Sequence, residues 1–304
     1  MTEPSAPASD AIHSIGFVGL GNMGMPMVTR LIEAGYAVTG FDVAQAARDA
    51  LAGIGGTAAP DLGSVVAGVD ALVLMLPDSK IVTSVMSDPG LRAGLHPGLL
   101  VVDMGSSEPV KTRTLAADLD SVGVQLVDAP VSGGVRGATG GTLTIMVGGA
   151  AAPVARVTPV LEHLGKVVHA GPVGSGHAIK ALNNLLSATH LMVTSEAMLA
   201  GQKFGLDPNV MLEIFNGSSG RSGSTENKWP NFIIPGGYDS GFGLRLMLKD
   251  MRTATDLADQ VGAPSALGKD AVELWAKAAD ALPPTADHTE VARWLANTTL
   301  AEEA

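Results

Sequence analysis

The sequence predicts a two-part α/β protein, a doubly wound parallel sheet followed by an all-helical domain, and three observations carry that expectation. Short β-branched runs alternate with helical patterns through the first half of the chain. A glycine-rich segment, Gly19-Leu20-Gly21-Asn22-Met23-Gly24, separates the first apolar run from the first helical pattern. Strand signals then stop at the turn-rich Gly171-Pro172-Val173-Gly174-Ser175-Gly176.

In chain order, the expected strands are Ile15–Val18, Ala37–Phe41, Ala71–Leu76, Leu99–Asp103, Val124–Val127, Thr142–Val147 and Val167–Ala170. Several are apolar almost throughout, as Leu72-Val73-Leu74-Met75-Leu76 shows, which suits strands covered on both faces. The intervening patterns predict helices over Met23–Ala34, Ala44–Gly53, Asp61–Ala67, Ser79–Met86, Pro109–Ser121 and Ala152–His163. A helix from Ser175 to Phe204 would extend roughly 45 Å, long enough to join two domains or two subunits. Shorter helices follow at Asp207–Asn216, with Asp207 as cap and Pro208 in its first turn, then Gly243–Val261, Ser265–Ala281 and His288–Thr298. Polar loops are expected at Asn216–Lys228 and Pro235–Gly241. The domain reading is a disordered tail at 1–12, a Rossmann-type dinucleotide-binding domain at 13–174, and an all-helical substrate and dimerisation domain at 175–304.

Composition narrows the function. The 304 residues are 46% hydrophobic and 16% charged, enough for a sizeable core, and carry a net charge of −11. An acidic excess argues against nucleic acid and an anionic membrane surface. With no cysteine, a disulfide framework, a thiolate metal site and a cysteine nucleophile are all excluded. The first twelve residues lack a basic start and an apolar run, so no signal peptide is expected; a cytoplasmic protein is. The apolar stretch from Leu182 to Ala200 contains Asn183, Asn184, His190 and Glu196, which suits a buried helix rather than a membrane span. The seven histidines are scattered, and no metal site is expected.

The glycine segment reads as a dinucleotide site. Gly19 permits the turn from strand to helix, Gly21 lets the backbone approach a pyrophosphate, and Gly24 lets the helix pack against the sheet. Asn22 and Met23 open the helix, whose free N–H groups favour phosphate. The second strand ends at Asp42, placed to accept from ribose hydroxyls and repel a 2′-phosphate, so NAD is expected over NADP; Asp42 could equally cap the helix that follows. Leu76-Pro77 and the loop Met104-Gly105-Ser106-Ser107 stand at strand ends, where such sheets bind ligands. Further on, Lys180, Asn183 and Asn184 share one helical face, with His177 close by. Buried together they need polar partners; they form either a site or a satisfied interhelical cluster.

Four segments together make the chain similar to the β-hydroxyacid dehydrogenase family, which includes 3-hydroxyisobutyrate dehydrogenases and tartronate semialdehyde reductases. They are Gly-Leu-Gly-Asn-Met-Gly at 19–24, Asp-Ala-Pro-Val-Ser-Gly-Gly at 128–134, Gly-x-Gly-x-x-x-Lys-x-x-Asn-Asn at 174–184, and Phe242 with Leu248-Lys249-Asp250. The resemblance implies Lys180 as general acid/base, taking the hydroxyl proton during oxidation and returning it during reduction, its pKa lowered by an apolar setting. It implies that Asn184 orients lysine and substrate, that Ser132, Gly133, Gly134 and Asn183 hold a small carboxylate-bearing substrate, and that Lys249 and Ser106 reach the cofactor. His177 is then structural or supporting. The implied reaction links NAD to a small 3-hydroxy acid or its semialdehyde, in a homodimer or homotetramer. Alternatives are an NADPH-linked semialdehyde or glyoxylate reductase, an imine reductase, and a non-catalytic dinucleotide-binding scaffold. Two segments depart from the family pattern: Met104–Ser107, where a Ser-Ser-Thr run is commoner, and the loop Ser218–Lys228, where substrate selectivity would lie.

Overall fold

A computed structural model of the protein describes residues 11–302. It comprises two compact units, one ending at Lys180 and the other beginning at Ala181. The first unit contains strands β1 (Ser14–Val18), β2 (Ala37–Phe41), β3 (Thr57–Ala58), β4 (Ala71–Leu74), β5 (Leu100–Asp103), β6 (Gln125–Asp128), β7 (Val131–Ser132), β8 (Leu143–Gly148) and β9 (Gly165–Gly171). Its helices are α1 (Gly24–Glu33), α2 (Gln45–Gly53), α3 (Leu62–Val65), α4 (Ser79–Met86), α5 (Pro89–Gly94), α6 (Pro109–Asp120), α7 (Gly134–Gly140) and α8 (Ala151–Glu162).

The strands form one sheet in the order β3-β2-β1-β4-β5-β6-β8-β7, with β9 on β8. Pairing is parallel from β3 to β6, antiparallel where β8 meets β6 and β7, and parallel again between β8 and β9. The order reverses beside β1, which makes the crevice at the carboxyl ends of β1 and β4 the place such a sheet offers a ligand.

Alternating residues of each strand feed two cores. Ile15 and Phe17 of β1, Val73 of β4 and Val102 of β5 pack with Met27, Val28 and Leu31 of α1 and Val157 of α8. Val18, Leu72, Leu74 and Val101 point the other way, onto Val65, Leu91 and Leu119. This two-faced burial is why the strand sequences read as unbroken apolar runs.

The second unit is helical. The helix α9 (Ser175–Phe204) enters it, and α10 (Pro208–Asn216), a π-helical segment Ser224–Ile233, α11 (Leu244–Gln260), α12 (Ala266–Ala281), a 3₁₀ turn His288–Glu290 and α13 (Val291–Glu302) follow. Its core gathers Met198, Trp229, Leu244, Met251, Trp275 and Val291. Asp207 accepts from the N–H groups of Asn209 and Val210, the cap anticipated from sequence.

Several expectations need correction. The sequence does not announce the short elements β3, β7, α5 and α7, since two-residue strands and glycine-rich helices leave no periodicity to read. The polar loop expected up to Lys228 ends earlier: Ser224 begins the π-helical turn, whose buried Trp229 and Ile233 hold it to the core. The helix expected from His288 starts as a 3₁₀ turn because the Asp287 carboxylate turns back onto Thr289. Of the tail expected at 1–12, residues 1–10 lie outside the described residues; Ile12 is buried in the core of the sheet.

Candidate functional site

β1 delivers the chain into the glycine segment, where Gly19 takes φ +99°, a conformation that side-chain-bearing residues rarely adopt. A Cβ at Gly19 would stand 2.3 Å from the Met75 carbonyl oxygen, and one at Gly24 1.9 Å from that of Gly19. Those two glycines are therefore required by packing. Gly21 is different: a Cβ there meets nothing within 4 Å, so the loop leaves open space above it. Gly21 and Asn22 are exposed and Met23 half-buried. Met23 is the N-terminal flanking residue of α1 and makes no side-chain cap; the first turn carries no acidic residue. Met25 N–H donates to the Gly21 carbonyl at 3.0 Å, and the positive end of α1 has no acidic side chain in its own first turn. An opening of this kind fits a dinucleotide pyrophosphate.

Asp42 follows β2. Its carboxylate accepts from Leu20 N–H and Ala44 N–H, both at 2.8 Å. The cap alternative is met only locally: Ala44 is the flanking residue of α2, and Asp42 turns the chain just before it. The bond to Leu20 ties Asp42 to the glycine loop itself. Arg48 lies over the Phe41 ring at 5.3 Å and donates to the Asp42 carbonyl and Gln45. At the next strand end, Leu76 is half-buried and Pro77 exposed, and Asp78 caps α4 through Ile81 N–H. After β5, the Asp103 carboxylate accepts from Gly105 N–H at 3.0 Å and Ser107 Oγ at 2.6 Å, shaping the loop that presents half-buried Ser106.

The segment 128–134 leaves β6, makes β7 and opens α7. Ser132 and Gly134 are half-buried and Gly133 exposed; Gly133 and Gly134 have φ +132° and +61°. Asp128 is fully buried. Burial pushes its carboxyl above the usual range, while the His177 ring and the N–H groups of His177 and Gly174 act in the opposite direction.

On α9, Lys180 is 8% exposed and Asn184, one turn later, 5%. Asn183 is exposed and donates to the Asn184 side chain at 3.3 Å, so the two amides occupy different surroundings. In the second unit, Asn184 Nδ2 donates to Asp250 Oδ2 at 2.6 Å, and Lys249 Nζ lies 3.0 Å from Asp250 Oδ1. The sequence gives Asp250 no role beyond closing the Leu248-Lys249-Asp250 segment; its burial at 3% between an amide and an ammonium is a signal that only folding reveals. Arg221 pairs with Glu226 at 2.7 Å. His177 is buried, with Nδ1 2.8 Å from Thr112 Oγ1. Among the described residues no group of three His, Asp or Glu could hold a metal ion, and no helix is long and apolar enough to cross a membrane.

Residues 14–173 match the family described as the NAD binding domain of 6-phosphogluconate dehydrogenase, and residues 174–295 that described as NAD-binding of NADP-dependent 3-hydroxyisobutyrate dehydrogenase. The chain is similar to the NAD-dependent L-serine dehydrogenase of Pseudomonas aeruginosa, 39% identical over 272 residues that cover 87% of this chain and 91% of that protein. It is similar to the 2-(hydroxymethyl)glutarate dehydrogenase of Eubacterium barkeri, 40% identical over 252 residues covering 82% and 84%. Among solved structures, the Mycobacterium tuberculosis 3-hydroxyisobutyrate dehydrogenase with L-serine superposes at a TM-score of 0.88 with 33% identity, covering 93% of this chain and 99% of that one.

Proposed function

The chain belongs to the β-hydroxyacid dehydrogenase family and is an NAD-linked oxidoreductase acting on CH–OH groups, and from that premise we propose that it interconverts a small 3-hydroxy acid and its semialdehyde. The names of its relatives share one chemistry. Serine, 2-(hydroxymethyl)glutarate and 3-hydroxyisobutyrate are all 3-hydroxypropanoates that differ only in the group on C2. These names support a substrate class with a primary alcohol on the carbon next to the α-carbon of a carboxylate.

The observation that carries this reading is Lys180, buried on α9 one turn before Asn184. Bound NAD supplies the hydride acceptor. Gly19, Gly21, Asn22, Met23 and Gly24 would hold its phosphates and Asp42 its ribose, with Leu76, Pro77 and Ser106 at neighbouring strand ends as further cofactor contacts; the family resemblance adds Lys249. Lys180 Nζ takes the proton of the substrate hydroxyl in oxidation and returns it in reduction. Asn184, held by Asp250, fixes the substrate oxygen at that lysine. Ser132 Oγ and the Gly133 and Gly134 N–H groups bind the carboxylate, with Asn183 at the rim. Leu182, Leu186 and Val193, exposed along α9, support a homodimer or homotetramer.

The test is a panel of 3-hydroxypropanoates varied at C2, assayed with NAD and NADP on the wild type and on Lys180→Ala. Turnover of some panel members with NAD, and none in a Lys180→Ala variant that still binds NADH, is expected. A Lys180→Ala enzyme of undiminished activity overturns the assignment.

A further inference from the structure

The first four N–H groups of any helix lack intrahelical partners, and a side chain just before the helix ordinarily serves them. At α9 that residue is Gly174, buried, at φ +86°, with no side chain to offer. The partner comes instead from β6. Asp128 Oδ1 accepts from Gly174 N–H at 2.6 Å and Asp128 Oδ2 from His177 N–H at 2.9 Å. One carboxylate, 46 and 49 residues away in sequence, closes the first turn of the helix that carries Lys180.

Room for it is cut from both sides. A Cβ at Gly148 would lie 2.4 Å from Asp128 Oδ1, and one at Gly176 2.9 Å from Oδ2 and 2.2 Å from the Met146 carbonyl oxygen. The other end of this aspartate's segment is equally fixed. Ala129 N–H donates to the Asp103 carbonyl at 2.7 Å, and Met146 N–H to that of Pro130 at 3.0 Å, two residues before Ser132. His177 completes the packing, its Nδ1 and Nε2 each 3.8 Å from the carboxylates of Asp128 and Asp103 respectively.

We infer that Asp128 is a positioning residue for Lys180: by capping α9 from the base of the 132–134 segment, it sets the distance between the lysine and the donors for the substrate carboxylate. This rests on the reading of Lys180 as acid/base given above. Misplacement of a reacting group by about 1 Å costs up to ~100-fold in rate. The carboxylate acts through backbone N–H groups and touches no substrate.

The experiment compares Asp128→Asn and Asp128→Ala with wild type and Lys180→Ala, measuring kcat, KM, NADH affinity and folded fraction. Asparagine keeps one acceptor oxygen and alanine none, so kcat is expected to fall ~10-fold or more in the first and further in the second, with NADH affinity held within about twofold. Amide exchange of the wild-type holoenzyme supplies a readout that needs no variant: Gly174 and His177 N–H are expected to exchange as slowly as amides in the middle of α9. Wild-type kcat in Asp128→Asn, fast exchange at both amides, or a loss of kcat that only parallels loss of folded protein overturns the proposal. An active Lys180→Ala enzyme overturns the acid/base reading and the proposal with it. An inactive Lys180→Ala beside a fully active Asp128→Asn overturns the positioning role alone.

Discussion

Asn184 and Asp250 form a buried side-chain pair, amide to carboxylate at 2.6 Å, across 66 residues of sequence. The carboxylate's other oxygen serves Lys249 at 3.0 Å. Asn184 on α9 is thereby oriented by α11, an arrangement that neither helix specifies by itself.

Removing that carboxylate leaves a buried amide without its acceptor. Asp250→Ala is expected to lower stability by about 1–3 kcal/mol, read as a shift in urea midpoint at unchanged slope. An unchanged midpoint would mean that the pair contributes nothing.

Gly21 and Gly24 belong to one motif but face different neighbours. Gly24→Ala drives a Cβ into the Gly19 carbonyl and should destabilise the fold by about 1–3 kcal/mol. Gly21→Ala meets only open space and should melt like wild type, while NADH affinity drops ~tenfold or more because the methyl fills the room the pyrophosphate needs. Thermal melts and NADH fluorescence titration of the two variants separate the roles.

Asp42→Ser removes the negative charge at the proposed ribose site while leaving an acceptor for Leu20 or Ala44. The ratio of kcat/KM for NADP over NAD is expected to rise ~tenfold. An unchanged ratio would assign cofactor choice elsewhere.

His288 is a source of acid lability. Burial, with Lys228 nearby, lowers its pKa to about 4, against the opposing pull of Asp287 and the Phe242 carbonyl. An unfolded histidine takes up its proton near pH 6.5. Between those values the unfolded chain holds more protons, so stability falls as pH drops from 6.5 toward 4, by about 3 kcal/mol for this group. Denaturation midpoints of wild type and His288→Gln across that range test it; the variant should lose the His288 share of the slope.

What could be read from sequence was local or periodic. The glycine motif, its flanking strands and Asp42 lie within 29 residues of one another and declare themselves by spacing. Lys180 and Asn184 share a helical face by arithmetic. Asp250, and the capping role of Asp128, depend on partners 46 to 66 residues distant, and no periodicity encodes such meetings. The π-helical turn was hidden by its own composition, because Ser224-Thr225-Glu226-Asn227-Lys228 is polar enough to pass for loop until Trp229 is seen in the core.

The start of α1 has no side-chain cap and no acidic residue in its first turn. Under the proposed cofactor assignment, dinucleotide phosphates would supply the negative charge that no side chain of that turn provides. Ligand held at about 100 times its dissociation constant adds roughly 2.7 kcal/mol to the folded state. A nucleotide that binds the folded chain alone would therefore raise its resistance to denaturation as well as serve its turnover.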